Sequence, residues 1–88
     1  MAEGELLGKV THYYDHIGVA VLRLERGLKV GEAVHFFGRH TDFQQVISSM
    51  QVEHQAVDHG AAGTEVAVKV KQRVRTGDSL YRLVQEAS

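Results

Sequence analysis

Along most of this chain apolar and polar residues alternate with period two, and valine is the commonest apolar residue, a pairing that predicts strands over helices. Residues 9–14 form a first expected strand. Residues 18–25 (GVAVLRLE) form a second, with Val19, Val21 and Arg23 on one face and Ala20, Leu22 and Leu24 on the other, and the Leu-bearing face is expected inside. Gly27 and Gly31 bracket a short excursion in RGLKVGE that turns the chain before it re-enters a strand at 33–37. Residues 41–54 fit both periods: Val46, Ile47 and Met50 lie at helical spacing, whereas Val46, Ser48, Met50 and Val52 lie at strand spacing, and we read a strand. After a loop carrying Gly60 and Gly63, Val66, Val68, Val70 and Val74 share one face, with Lys69, Lys71, Arg73 and Arg75 opposite. A last strand spans 79–84. Three glycine-acid corners, Gly31-Glu32, Gly63-Thr64-Glu65 and Gly77-Asp78, each open a strand.

Six or seven short strands and no convincing helix predict an all-β fold, a small closed or nearly closed antiparallel β-barrel, because an open sheet of this size would leave two bare edges. The chain has no proline to interrupt a ladder. The barrel is expected over 8–84 as one domain, with flexible tails at 1–7 and 85–88.

Composition narrows the setting. The chain has 88 residues and no cysteine, so burial and backbone hydrogen bonds hold it without disulfides or thiolate metal sites, which fits a reducing cytoplasm. No stretch is apolar enough to span a bilayer, and the start, MAEGELL, lacks a signal-peptide pattern; no membrane role is expected. Asparagine is absent as well, a compositional trait of thermophile proteins. The formal net charge is −1, so a whole-chain basic footprint for nucleic acid is missing and any such role rests on local patterning.

THYYDHIG, residues 11–18, concentrates two histidines, two tyrosines and an aspartate. His12, Asp15 and His16 read either as ligands or as polar residues at an exposed hairpin turn over 15–17. The turn reading is preferred, because zinc needs three or four converging ligands and His35, His40, His54 and His59 are scattered. Ser48, Ser49 and Ser79 lack a nucleophile-elbow context, no carboxylate pair is forced together, and a barrel this small fills its interior with its own side chains. Neither an enzyme nor a cofactor is expected. The alternating run Lys69-Val70-Lys71-Gln72-Arg73-Val74-Arg75 is the most informative local feature. On a strand its cations would project at intervals of roughly 6.5–7 Å and could follow an RNA backbone, or they form a solvated face that blunts a sheet edge. Tyr81 and the Tyr13/Tyr14 pair are candidate stacking platforms, and one of Phe36 and Phe37 must face outward.

The stretch GKVTHYYDHIGVAVLRLERGLKVGEAVHFFG resembles the start of the β-barrel domain II of translational GTPases of the elongation factor Tu type, in its order of strand, hairpin, strand and glycine-acid corner. SSMQVEHQAVDHGAAGTEVAV and TGDSLYRLV resemble that domain's later corner and closing strand. HYYDHIG and TDFQQVISSMQVEH are more similar still to stand-alone translation elongation factor-like proteins and to the barrel at the C-terminus of collagenase-like peptidases. The resemblance covers 8–84 and implies the barrel. The chain has no phosphate-binding glycine loop and no Asn-Lys-x-Asp segment, so GTP binding is not implied. The resemblance implies two uses, contact with tRNA or rRNA in translation or RNA modification, or docking in trans on a peptidase-like or GTPase-like protein; it carries over no RNA-contacting residue, and for the first use the local basic run offers Lys69, Lys71, Arg73 and Arg75 as phosphate contacts. The first implies steep salt dependence, the second an exposed apolar patch.

Overall fold

A computed structural model describes residues 4–83. The observed strands are β1 (Leu6–Tyr14), β2 (Val19–Leu24), β3 (Leu28–Lys29), β4 (Ala33–Gly38), β5 (Thr41–Val46), β6 (Met50–Val52), β7 (Gln55–Val57), β8 (His59–Gly60), β9 (Glu65–Lys69) and β10 (Ser79–Arg82). Eight of them form one antiparallel sheet in the order β5-β4-β10-β1-β2-β9-β6-β7, and β3 pairs with β8 as a separate ribbon. The expected all-β antiparallel fold is what the chain adopts. Among the described residues no helix long and apolar enough to cross a membrane occurs.

Period-two patterning translates directly into burial. Ala20, Leu22 and Leu24 of β2, Val66 and Val68 of β9, Val34 and Phe36 of β4 and Leu80 of β10 all point into one core, joined by Leu7, Leu28, Ile47 and Met50. Phe36 and Phe43 are cross-strand partners and stack with ring centroids 5.1 Å apart. Fully burying such a side chain contributes about 1.5–3 kcal/mol, against roughly 0–1 kcal/mol for a surface ion pair, so the core dominates the stability.

Several local features differ from the expectation. Strand β1 starts at Leu6, with Leu7 buried and Glu5 paired to Arg82, so the end of the expected 1–7 tail belongs to the barrel. Val84 and the tail at 85–88 lie outside the described residues. A bulge between Val10 and His12 shifts the inward phase of β1, so Tyr13, not His12, packs on the core. Gly18 lies within the β1–β2 turn at φ +67° and does not open β2. The expected strand over 41–54 divides: Ile47, 48 and 49 break it, because the Ile47 backbone pairs with Gly31 and Glu32 instead of a ladder. A two-residue turn at Glu53-His54 then joins β6 to β7, with φ of 51° and 68°. Both values belong to the left-handed region that hairpin turns need and that Asn-Gly normally fills. Gly60, expected in a loop, pairs with Leu28 in the β3–β8 ribbon.

The sheet is rolled shut by polar side chains. Gln45, near the end of β5, donates from Nε2 to the Lys69 carbonyl at 2.9 Å and accepts the Lys71 N–H on Oε1 at 2.9 Å. One side-chain amide thus makes the pair of bonds a neighbouring strand would make. Further along this seam the buried Asp78 carboxylate accepts both the Thr41 hydroxyl, at 2.5 Å, and the Arg75 N–H, at 2.8 Å. Asp78 also bonds β1 through its carbonyl, which accepts the Val10 N–H at 2.9 Å. At another point of the barrel Arg82 clamps three segments, donating to Glu32, to Glu5 and to the Gly27 carbonyl.

Substitutions at three positions test this account by urea denaturation. A Cβ at Gly8 would lie 2.2 Å from the Arg23 carbonyl oxygen, a backbone atom that cannot rotate away, so Gly8→Ala is expected to cost about 1–3 kcal/mol or to prevent folding. Asp78→Ala leaves a buried hydroxyl and an amide without their acceptor and should cost about 2 kcal/mol or more, while Asp78→Asn, which keeps one acceptor oxygen, should cost less; equal losses would refute the double-acceptor role. His54→Gly should raise stability by about 0.5–1 kcal/mol, since glycine carries no side-chain penalty at φ 68°.

Candidate docking face

The four cations singled out from the sequence do not line one strand. Lys69 is the last residue of β9 and pairs with Val19, the first residue of β2, so the ladder ends there; beyond it the Lys71 N–H is taken by Gln45 and the Arg75 N–H by Asp78. Val70 and Val74 nevertheless stay buried, so Lys69, Lys71, Arg73 and Arg75 all remain exposed along a tract that runs against β5. None of the four forms an ion pair among the described residues. The even strand spacing expected for them is therefore replaced by an irregular, cation-rich seam.

The same seam brings in Arg39, which sequence reasoning missed. Thr41 and the Arg75 amide share one Asp78 oxygen, which sets the β4–β5 turn carrying exposed Arg39 and His40 beside Arg75. Only the long-range bond between positions 41 and 78 reveals this, and no local pattern encodes it. Five of the ten lysines and arginines thus border β5.

Beside the seam, the outer face of β10, β4 and β5 exposes Phe37 and Val46 on either side of a middle row centred on His35. Strand register aligns Tyr81, His35 and Gln44 in one row, Ser79, Phe37 and Asp42 in the next, and Ala33 with Val46. Phe36 is buried and Phe37 is 49 % exposed, which settles which of the adjacent phenylalanines faces out; Val46 is 56 % exposed. His35 anchors the centre: its Nε2 lies 2.6 Å from Asp42 Oδ1, and its ring meets Phe37 edge-on at 5.7 Å. The patch and the seam join at a depression of about 430 Å³ lined by Gln45, Val46, Ser48, Lys69, Val70 and Lys71. Exposed large apolar side chains beside a charged border are a feature of protein-binding surfaces.

The histidine-rich stretch behaves as a turn. Ile17 and Gly18 both donate to the Tyr14 carbonyl, His16 is fully exposed, and His12 packs its ring on Tyr14 at 4.2 Å. His59 sits 2.8 Å from the Asp58 carboxylate and, by hydrogen bond and charge, holds that carboxyl below its usual range, on an exposed corner. Among the described residues no three histidine, aspartate or glutamate side chains gather closely enough to hold a metal ion.

No protein-family model matches the chain. Over 78 residues it is 35 % identical to an uncharacterized protease of Methanocaldococcus jannaschii, a match covering 88 % of this chain and 19 % of that protein. It is 32 % identical over 78 residues to a collagenase of Porphyromonas gingivalis, covering 86 % of this chain and 22 % of the collagenase. The chain therefore spans about a fifth of the length of these relatives. Among solved structures it is similar to the C-terminal domain of a protein provisionally classed as a U32 peptidase from Geobacillus thermoleovorans. One crystal structure of that domain superposes with a TM-score of 0.85 at 26 % identity, covering 89 % of this chain and 99 % of the other; a second gives 0.84 at 26 %, covering 92 % and 93 %. These relatives support the resemblance to the collagenase-like barrel and give no support to a translation-factor identity. In fold and in sequence the chain is similar to a C-terminal barrel of peptidase-like proteins.

Proposed function

We propose that this barrel is a non-catalytic docking module that works with a peptidase-like body, covalently attached in relatives or engaged in trans, through the outer face of β10, β4 and β5. The observation that carries this reading is the match to 99 % of the crystallised C-terminal domain of a protein provisionally classed as a U32 peptidase. The face itself supports it: Phe37 and Val46 are large, exposed and close to the structured His35–Asp42 pair, whereas the described residues offer no nucleophile with an adjacent base. The RNA-contacting alternative rests on the basic tract, and the relatives named above do not support it.

The test uses the Methanocaldococcus protease lacking the stretch that matches this chain, mixed with this protein in analytical ultracentrifugation and calorimetry. A complex of micromolar affinity or tighter is expected, persisting at high salt because the apolar side chains of Phe37 and Val46 carry it. Phe37→Asp and Val46→Asp should each weaken it at least about tenfold while leaving the circular dichroism spectrum unchanged. Absence of a complex, or variants that bind as well as the parent, would refute the reading.

A further inference from the structure

We infer that the depression between β5 and the Lys69–Lys71 segment receives an extended, acidic segment of a protein partner, with an apolar side chain resting on Val46 and carboxylates on Lys69 and Lys71. This deepens the docking reading and rests on it.

Three observations converge. First, the depression has one apolar wall and one cationic wall: Val46 is 56 % exposed on β5, and Lys69 and Lys71 stand opposite with no ion-pair partner among the described residues. Arg73, Arg75 and Arg39 continue the positive border, in a chain whose net charge is −1, so the charge is concentrated on this border. Second, Lys69 and Lys71 flank the buried Val70 and are both exposed, two residues apart and so at most about 7 Å apart along the backbone. An extended partner carrying Asp or Glu at alternate positions repeats at a comparable interval. Third, the two backbone groups of the cationic segment that face β5 are already taken, since Gln45 bonds both the Lys69 carbonyl and the Lys71 amide. A partner segment therefore cannot pair with these two groups and is held against Lys69 and Lys71 by side chains, which makes charge and an apolar anchor the basis of selection.

A nucleic acid suits the depression less well. Backbone-tracking grooves alternate cations with aromatic platforms on which bases stack. Here the nearby outward aromatics, Phe37 and Tyr81, lie on β4 and β10, across β5 from the cationic tract, and the depression itself is lined by aliphatic and amide side chains.

The probe is a short capped peptide with Asp at alternate positions and Leu and Ser between them, titrated into ¹⁵N-labelled protein, beside the same peptide with Lys for Asp and a short oligouridylate. The acidic peptide is expected to shift the amides of Gln45, Val46, Lys69 and Lys71 and to bind more weakly as salt rises. The double variant Lys69→Glu/Lys71→Glu should weaken it at least about tenfold, and Val46→Ser should weaken it without altering the salt dependence. The inference is overturned if the peptide does not bind at millimolar concentration, if it binds elsewhere, if the double variant binds equally well, or if the oligouridylate binds the same residues more tightly. Should the peptide fail while the truncated protease still forms its Phe37-dependent complex, the docking reading stands and only the acidic segment is refuted.

Discussion

A sheet of eight short strands ends in two rows of unpaired amides and carbonyls, and a chain this small has too little core to leave such edges bare. Along β5 one glutamine brings the returning chain against the edge. Gln45 lies in the inward phase of its strand, where an apolar side chain would otherwise sit, and bonds a carbonyl and an amide of the returning chain. Asp78 secures the same seam further along by joining the β4–β5 turn, the loop before β10 and β1. These two side chains bring β5 against the segment that follows β9, and the core from Leu7 to Leu80 is enclosed as a consequence.

The seam also determines the surface chemistry. Because Lys69 and Lys71 are bound to β5 through their backbone, their side chains face outward beside Val46, and because Asp78 joins Thr41 to Arg75, the cation of Arg39 is added to the same border. A polar solution to a folding problem thus places an apolar patch and a basic border next to each other. The opposite arrangement holds at the Arg82 clamp, where Glu5 and Glu32 neutralise the guanidinium and no free charge is concentrated.

How far the sequence revealed this depends on the range of the interactions involved. Val66, Val68, Leu22 and Leu24 are inward by simple alternation and were legible as such, and the three glycine corners are real, with Gly31, Gly63 and Gly77 at φ of 100°, 87° and 96°. The Glu53-His54 turn was hidden because its residues lack the Asn-Gly signature for that backbone, and the β3–β8 ribbon because two-residue strands carry no period. The basic tract was visible as composition but misread as one regular strand, since the strand ends where its partner β2 begins and the chain beyond it is held by a glutamine 24 residues away in sequence. The likeness to a collagenase-type barrel was legible in the wording of the first hairpin, whereas the role of Arg39 depended on a contact between positions 41 and 78.

One further consequence belongs to the β4–β5 hairpin. Its residues carry two interleaved messages: Val34, Phe36 and Phe43 are addressed to the interior, and His35, Phe37, Asp42 and Val46 to the exterior. Because the pleat keeps the two sets on opposite sides, a lineage can rewrite the outward letters and acquire a new partner while the inward letters continue to specify the same barrel. The boundary of that freedom is Gly38, where a Cβ would come within 2.0 Å of Asp78 Oδ1: at this single residue a change made for the sake of recognition would break the closure of the fold.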